Sequence, residues 1–217
     1  MAALWLFDID GTLVDTGGAG MRALQEAATE CFGGEGPPLD LAGSTDLGVI
    51  HGILDHFGLE PQSERIDSFF RTYLERLEWN LTHGGYPGRV LPGVVPLLER
   101  LHADDSVHLG LLTGNIAGGA AAKMRHYGLD HFFPFGAYGC DHADRNLLGP
   151  VAADRASKHA GRGFTPDEIV VVGDTPKDIA CAKALGAPCI AVATGKFTAD
   201  ELRACGADRV VKTLEEV

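Results

Sequence analysis

No apolar run in the 217 residues approaches the roughly 20 needed to cross a bilayer, and the start lacks the basic region and cleavage pattern of a signal peptide. A cytoplasmic protein that makes no use of membrane is the expectation. Positive charge is also in short supply: 18 lysines and arginines stand against 30 aspartates and glutamates, a formal charge of −12. Nucleic acid and anionic membranes reward basic surfaces, so neither is expected as a partner. The five cysteines (Cys31, Cys140, Cys181, Cys189, Cys205) are odd in number and have no C-x-x-C spacing, which argues against a zinc site or a disulfide framework. The nine histidines are scattered without a ligand spacing, and there is no internal repeat or low-complexity tract.

What is present is an ordinary globular composition, 45% hydrophobic and 22% charged, in a chain long enough for one or two domains with a buried core. Glycine is the outlier. Its 29 residues are about double the usual share and imply many tight turns or loops that approach a ligand closely.

Short apolar runs, each closed by a turn, recur at residues 4–9, 107–112, 168–172 and 188–193, with weaker ones near 132–138 and 209–211. Helical stretches lie between them, roughly 94–102, 116–127, 150–160 and 176–185. Alternation of this kind predicts a parallel sheet covered by helices, an α/β fold. The segment from about Asp15 to Pro92 breaks the alternation. It holds three amphipathic helical candidates (21–31, 46–56, 63–81) and no convincing strand, between the glycine-rich stretches Thr16-Gly17-Gly18-Ala19-Gly20 and His83-Gly84-Gly85-Tyr86-Pro87-Gly88. It reads as a small all-helical domain, 16–89, inserted into a core made of 1–15 and 90–217. Phe69, Phe70, Tyr73 and Leu77, at helical spacing, read as its core.

In an open parallel sheet, ligands bind beyond the carboxyl ends of the strands. The polar clusters sit there: Asp8 and Asp10 after the first run, Thr113 to Asn115 after the second, Asp174 and Asp178 after the fourth. Carboxylates gathered in this way repel one another unless a cation intervenes, and oxygen ligands of this kind suit Mg2+, which also accepts a phosphate oxygen.

Asp8-Ile9-Asp10-Gly11-Thr12-Leu13 resembles the first motif of the haloacid dehalogenase superfamily. Leu111-Leu112-Thr113-Gly114-Asn115 is similar to the second motif, and Gly173-Asp174-Thr175-Pro176-Lys177-Asp178 to the acidic fourth. Leu91-Pro92-Gly93-Val94, where the helical insert returns to the core, matches the phosphoglycolate phosphatase-like branch with its helical cap. The resemblance spans essentially the whole chain. It implies a Rossmann-like three-layer core with a parallel sheet, and a magnesium-dependent phosphatase acting on a small phosphorylated metabolite such as a phosphoglycolate-like ester or a sugar phosphate. Asp8 would attack phosphorus and form an aspartyl phosphate. Asp10 would be general acid and then general base, with its backbone carbonyl on the metal, and Asp174 and Asp178 would complete the metal site. Thr113 would hydrogen-bond the phosphoryl oxygens, helped by backbone N–H groups near Gly114 and Asn115 at a helix start.

The family's third motif usually supplies a lysine, and the corresponding stretch, Cys140-Asp141-His142-Ala143-Asp144-Arg145-Asn146-Leu147, has none. Arg145 is the nearest cation and Lys158 the alternative. Arg145 is expected to hold the phosphoryl group. Lys158 follows Ala152 and Ala156 on a helix whose small apolar face packs inward, which turns it to solvent. Gly43-Ser44-Thr45-Asp46 is the candidate substrate loop, centred on Thr45 and Asp46, and His142 lies near the crevice. A phosphotransferase or sugar-phosphate mutase using the same nucleophile, and a catalytically silent binding protein, remain as alternatives. Monomer and homodimer are both open.

Overall fold

The computed structural model describes residues 3–34 and 36–217. Six parallel strands, β1 (Leu4–Phe7), β4 (His108–Leu112), β5 (Gly136–Ala137), β6 (Ile169–Gly173), β7 (Cys189–Val192) and β8 (Arg209–Val211), form one sheet in the order β5-β4-β1-β6-β7-β8. The period-two alternation of a buried strand divides its side chains between two apolar clusters. Leu4 and Leu6 of β1 face one side with Ile169 and Val171 of β6, while Phe7 faces the other with Val170 and Val172.

Each cluster is closed by helices. On the Phe7 side lie α4 (Val94–His102) and α5 (Ala117–His126), which bring Leu97, Leu98, Ala120 and Met124. On the other side lie α6 (Leu148–Ala160), α7 (Pro176–Leu185) and α8 (Ala199–Ala204), with Ala152, Ala156, Ile179 and Leu202. The result is the expected three-layer, Rossmann-like α/β fold.

The insert folds as α1 (Ala19–Phe32), α2 (Asp46–His56) and α3 (Ser63–His83) around Leu24, Ile50, Ile53, Phe69 and Leu77. Its apolar cluster is not self-contained, because Ile116 and Ala122 from the α5 region join it. Two features differ from the sequence reading. The chain enters and leaves the insert through two short strands, β2 (Val14–Asp15) and β3 (Arg89–Val90), which pair antiparallel as Val14↔Val90 and Asp15↔Arg89. Two residues are too few to show a period. The weak run near 132–138 is strand only at β5, preceded by a turn of 3-10 helix at Asp130–Phe132. No helix among the described residues is long and apolar enough to cross a membrane.

Candidate active site

β1 lies in the middle of the sheet, between β4 and β6. The chain runs outward from it toward β5 and later toward β8, so the carboxyl end of β1 is the point where the winding reverses and a crevice opens. Asp8 follows β1 and donates its backbone N–H to Val172 O at 2.9 Å, which sets it beside Asp174 at the end of β6. Asp178 arrives on the first turn of α7. One oxygen from each of Asp8, Asp174 and Asp178 lies within 4.8 Å of the others, and all three residues are buried.

The carboxylate of Asp174 fills a place where no side chain would fit. A Cβ on Gly11, whose φ is +80°, would lie 2.3 Å from Asp174 Oδ2, and one on Gly195 only 1.8 Å away. Thr12 Oγ1 donates to Asp174 Oδ1 at 3.1 Å. Burial, together with Asp178 and Asp8, pushes the Asp174 carboxyl up to about 8. Burial likewise raises Asp8 to about 6, against the lowering effect of Arg145 and reinforced by Asp178 and Asp10. Three buried carboxylates with one cation among them fit a divalent ion, whose charge would reverse both shifts.

That one cation is Arg145. It stands on a short 3-10 turn, Arg145–Leu147, started by the Asp144 side chain accepting from the Asn146 N–H, just before α6. Its guanidinium is buried, pairs with Asp8 at 3.2 Å and with Asp178, and donates to Leu112 O at 3.2 Å; Nε has no partner among the described residues. Lys158, the alternative cation, is corrected by its position: its side chain is 74% exposed and pairs with Asp154 on the outer face of α6. Asp178 is more committed than a metal ligand alone would be. One oxygen meets Arg145, while the other accepts from Thr175 N–H (3.0 Å) and Thr175 Oγ1 (2.6 Å), a capping box at the start of α7.

Asp10 stands apart from the three carboxylates. Lys123 Nζ donates to both its oxygens (2.8 and 2.6 Å) and to Asn115 Oδ1 (2.6 Å), and Asn115 Nδ2 donates to Asp10 Oδ2 (2.8 Å) and Thr113 Oγ1 (2.8 Å). Lys123 was missed in the sequence. Its signal is its place: Ile116, Ala120 and Lys123 share the buried stripe of α5, and a lysine there needs a partner inside.

Other expected contacts are reassigned. Thr113 is fully buried and does not line the cavity, whereas Gly114 and Asn115 do. The backbone N–H of Asn115 is turned to Thr113 Oγ1 (3.3 Å), and that of Ile116 donates to Asp46 Oδ2 (2.8 Å), so neither is left for an anion. Thr45 and Asp46, expected as a substrate loop, are tied to the core, and Asp46 also lines the cavity. Thr45 caps α2 and donates to Ala143 O at 2.6 Å, and the Asp46 N–H donates to Gly114 O at 2.7 Å. Together they clasp the helical layer onto the sheet. Burial pushes the Asp46 carboxyl up to about 6, moderated by the Ile116 N–H and Lys123. The loop does reach the site, and a Cβ on Gly114 would meet Ser44 O at 1.8 Å. His142 is exposed, accepting from the Asp144 N–H at 2.8 Å.

The cavity, partly open to solvent, has a volume of about 270 Å3, small beside the roughly 300–1,000 Å3 of drug-sized sites. Asp8, Asp10, Arg145 and Asp174 form its sheet-side wall, and α1, α2 and α3 with the 41–46 loop form the other.

Comparison with known proteins agrees with this architecture. The chain is 27% identical over 217 residues to the probable phosphatase IndB of Dickeya dadantii, covering all of this chain and 92% of that one. It is 29% identical over 205 residues to the phosphoglycolate phosphatase of Pseudomonas syringae pv. tomato, covering 88% and 70%. Among solved structures, CbbY of Rhodobacter sphaeroides in complex with xylulose-(1,5)bisphosphate superposes with a TM-score of 0.76 at 23% identity, over 100% of this chain and 96% of that one. At that identity the likeness speaks for the fold. The model of the haloacid dehalogenase-like hydrolases matches residues 5–192, most of the chain, and with the ordered acidic motifs now found in one crevice, the chain belongs to that family.

Proposed function

We propose that this phosphatase hydrolyses a small phosphate monoester in a magnesium-dependent reaction, through an aspartyl phosphate on Asp8. The observation that carries the reading is the separation of the two first-motif aspartates: Asp8 is buried against Arg145 and Asp174, while Asp10 is held 2.6–2.8 Å from Lys123 and Asn115. One carboxylate is placed to attack and the other to move protons. Asp8 takes the phosphoryl group, splitting one displacement into two. Asp10 protonates the leaving oxygen and later takes a proton from water. Arg145 grips phosphoryl oxygens with a planar fork in place of the family's lysine.

Asp8 and Asp174 would hold Mg2+, with the Asp10 backbone carbonyl as the family resemblance implies, and Asp178 through a water or a remaining lone pair. When bound, the ion offsets charge between the phosphate and the carboxylates. The helical layer of 16–89 acts as a cap over the core of 1–15 and 90–217, excluding water. Thr113 fixes Asn115 and through it Asp10.

The test is release of inorganic phosphate from a panel of phosphate esters, with Asp8→Asn and after chelation. Both changes are expected to abolish release while the protein stays folded. Appreciable turnover by Asp8→Asn refutes the nucleophile, full activity after exhaustive chelation refutes the metal, and isomerisation of a sugar monophosphate without phosphate release indicates a mutase.

A further inference from the structure

The cation count of the cavity is low, and each cation is already engaged. Lys123 has three N–H donors, which point at Asp10 Oδ1, Asp10 Oδ2 and Asn115 Oδ1. Arg145 serves Asp8 and Asp178. Lys196, at the rim, is 67% exposed and pairs with Asp40. Among the described residues, the cap contributes no lysine, arginine or histidine to the wall. It offers Met21, Leu24, Leu41 and Val49, and one acid, Asp46, already bound to the Ile116 N–H.

Two hydroxyls on the cap side make no hydrogen bond among the described residues, those of Thr16 and Tyr73, and Tyr73 is the more deeply buried. Tyr73 lines the cavity, is 1% exposed, and its hydroxyl has no hydrogen-bond partner among the described residues. A buried tyrosine normally finds a partner for its O–H. Burial, with Asp46 and Asp10, holds the phenol well above its ordinary value, so it remains a neutral donor.

Resting on the phosphatase reading, we propose that the organic part of the substrate is a short, uncharged, largely apolar chain with one oxygen for Tyr73, and that esters bearing a second anionic group are rejected. A carboxylate on the leaving group would stand on the cap side of the cavity beside Met21, Leu24, Asp46 and Val49, where the cap brings no cation, while Arg145 and the ion that Asp8 and Asp174 would hold are taken up by the phosphoryl group. Phosphoglycolate, the substrate in the name of several relatives, is such an ester. The apolar wall instead rewards each added methylene by roughly 4-fold until the cavity is filled.

The experiment measures kcat/KM for ethyl, propyl, butyl and 3-hydroxypropyl phosphate, 2-phosphoglycolate and p-nitrophenyl phosphate, with the parent protein and with Asp8→Asn, Met21→Arg and Tyr73→Phe. Propyl phosphate is expected to exceed 2-phosphoglycolate by ~10²-fold, as for a site whose buried charge is left unpaired. Met21 is only half-buried, so Met21→Arg supplies the missing cation with little strain and narrows that gap at least ~10-fold. Tyr73→Phe lowers the ratio of 3-hydroxypropyl to propyl phosphate. If 2-phosphoglycolate outruns the alkyl esters in a reaction that Asp8→Asn abolishes, the substrate class is wrong and the phosphatase reading stands. If no ester gives Asp8-dependent turnover, the phosphatase reading fails and this inference with it.

Discussion

Lys123→Met tests how the proton-transfer group is held in place. Methionine keeps the length and apolar stem of the side chain and removes the ammonium, so α5 should keep its packing. Three contacts are lost, two to Asp10 and one to Asn115. Breaking a fully buried pair costs about 3–5 kcal/mol, but the Asp10 side chain is 42% exposed against 4% for Lys123, and water can take the place of the ammonium. The stability loss should therefore be nearer the lower end for a charged hydrogen bond, about 1.5 kcal/mol, or a fall in Tm of roughly 3–6 °C for a chain of this size. The kinetic loss has a ceiling, because disorienting Asp10 cannot cost more than the ~10²–10⁴ an acid–base residue supplies. With one contact from Asn115 left to orient it, a loss of ~10–10² in kcat/KM is expected for an alkyl phosphate, whose leaving oxygen must be protonated. For p-nitrophenyl phosphate, whose leaving group departs without a proton, the loss should stay under ~3-fold by the same rule. Steady-state kinetics on the two esters, with Tm measured alongside, separates these effects. Equal losses on both esters would mean that Lys123 supports only the fold, and unchanged kinetics on both would remove it from the site altogether. In the double variant with Asp10→Asn, the two losses should fail to add.

Arg145→Ala should lower kcat/KM by ~10²-fold or more, as for loss of one electrostatic donor, while Lys158→Ala, whose pair with Asp154 is exposed, should be silent; the reverse pattern would exchange their roles. Metal-free protein should lose stability progressively between about pH 4 and 8, because Asp8 and Asp174 have folded values raised to about 6 and about 8, so their contribution is complete below the ordinary carboxylate range and is lost as pH rises through those values. Magnesium at ~100 times its Kd should raise Tm by roughly 5–10 °C, and by more at the alkaline end where its ligands are ionised; thermal melts at both ends check this, and an equal shift at both would contradict it. Asp46→Asn removes a carboxyl whose value burial raises to about 6, so it should tighten the clasp on α5 above that pH and lower KM there while having little effect near pH 5; a higher KM at alkaline pH would refute the clasp.

The alternation of apolar runs and helices was enough to establish the parallel α/β core, because a strand buried on both faces and an amphipathic helix each leave a period in the chain. The ordered motifs at Asp8, Thr113 and Asp174 were equally legible, since a strand's carboxyl end is a place that sequence marks with turn residues, and the departure at Arg145 could be argued from its loop and the rotation of Lys158. Pairing between distant short segments was not legible. The strands Val14–Asp15 and Arg89–Val90 are two residues each and are held by one another, and Thr45 and Asp46 bond Ala143 and Ile116 at separations of 98 and 70 residues. Such contacts have no local signature, because their energy comes from a partner that the fold alone brings near. The same is true of Lys123 and Tyr73, which the chain presents as a helix lysine and a core aromatic. Only the closing of α3 and α5 over β1 turns one toward Asp10 and leaves the hydroxyl of the other facing the cavity.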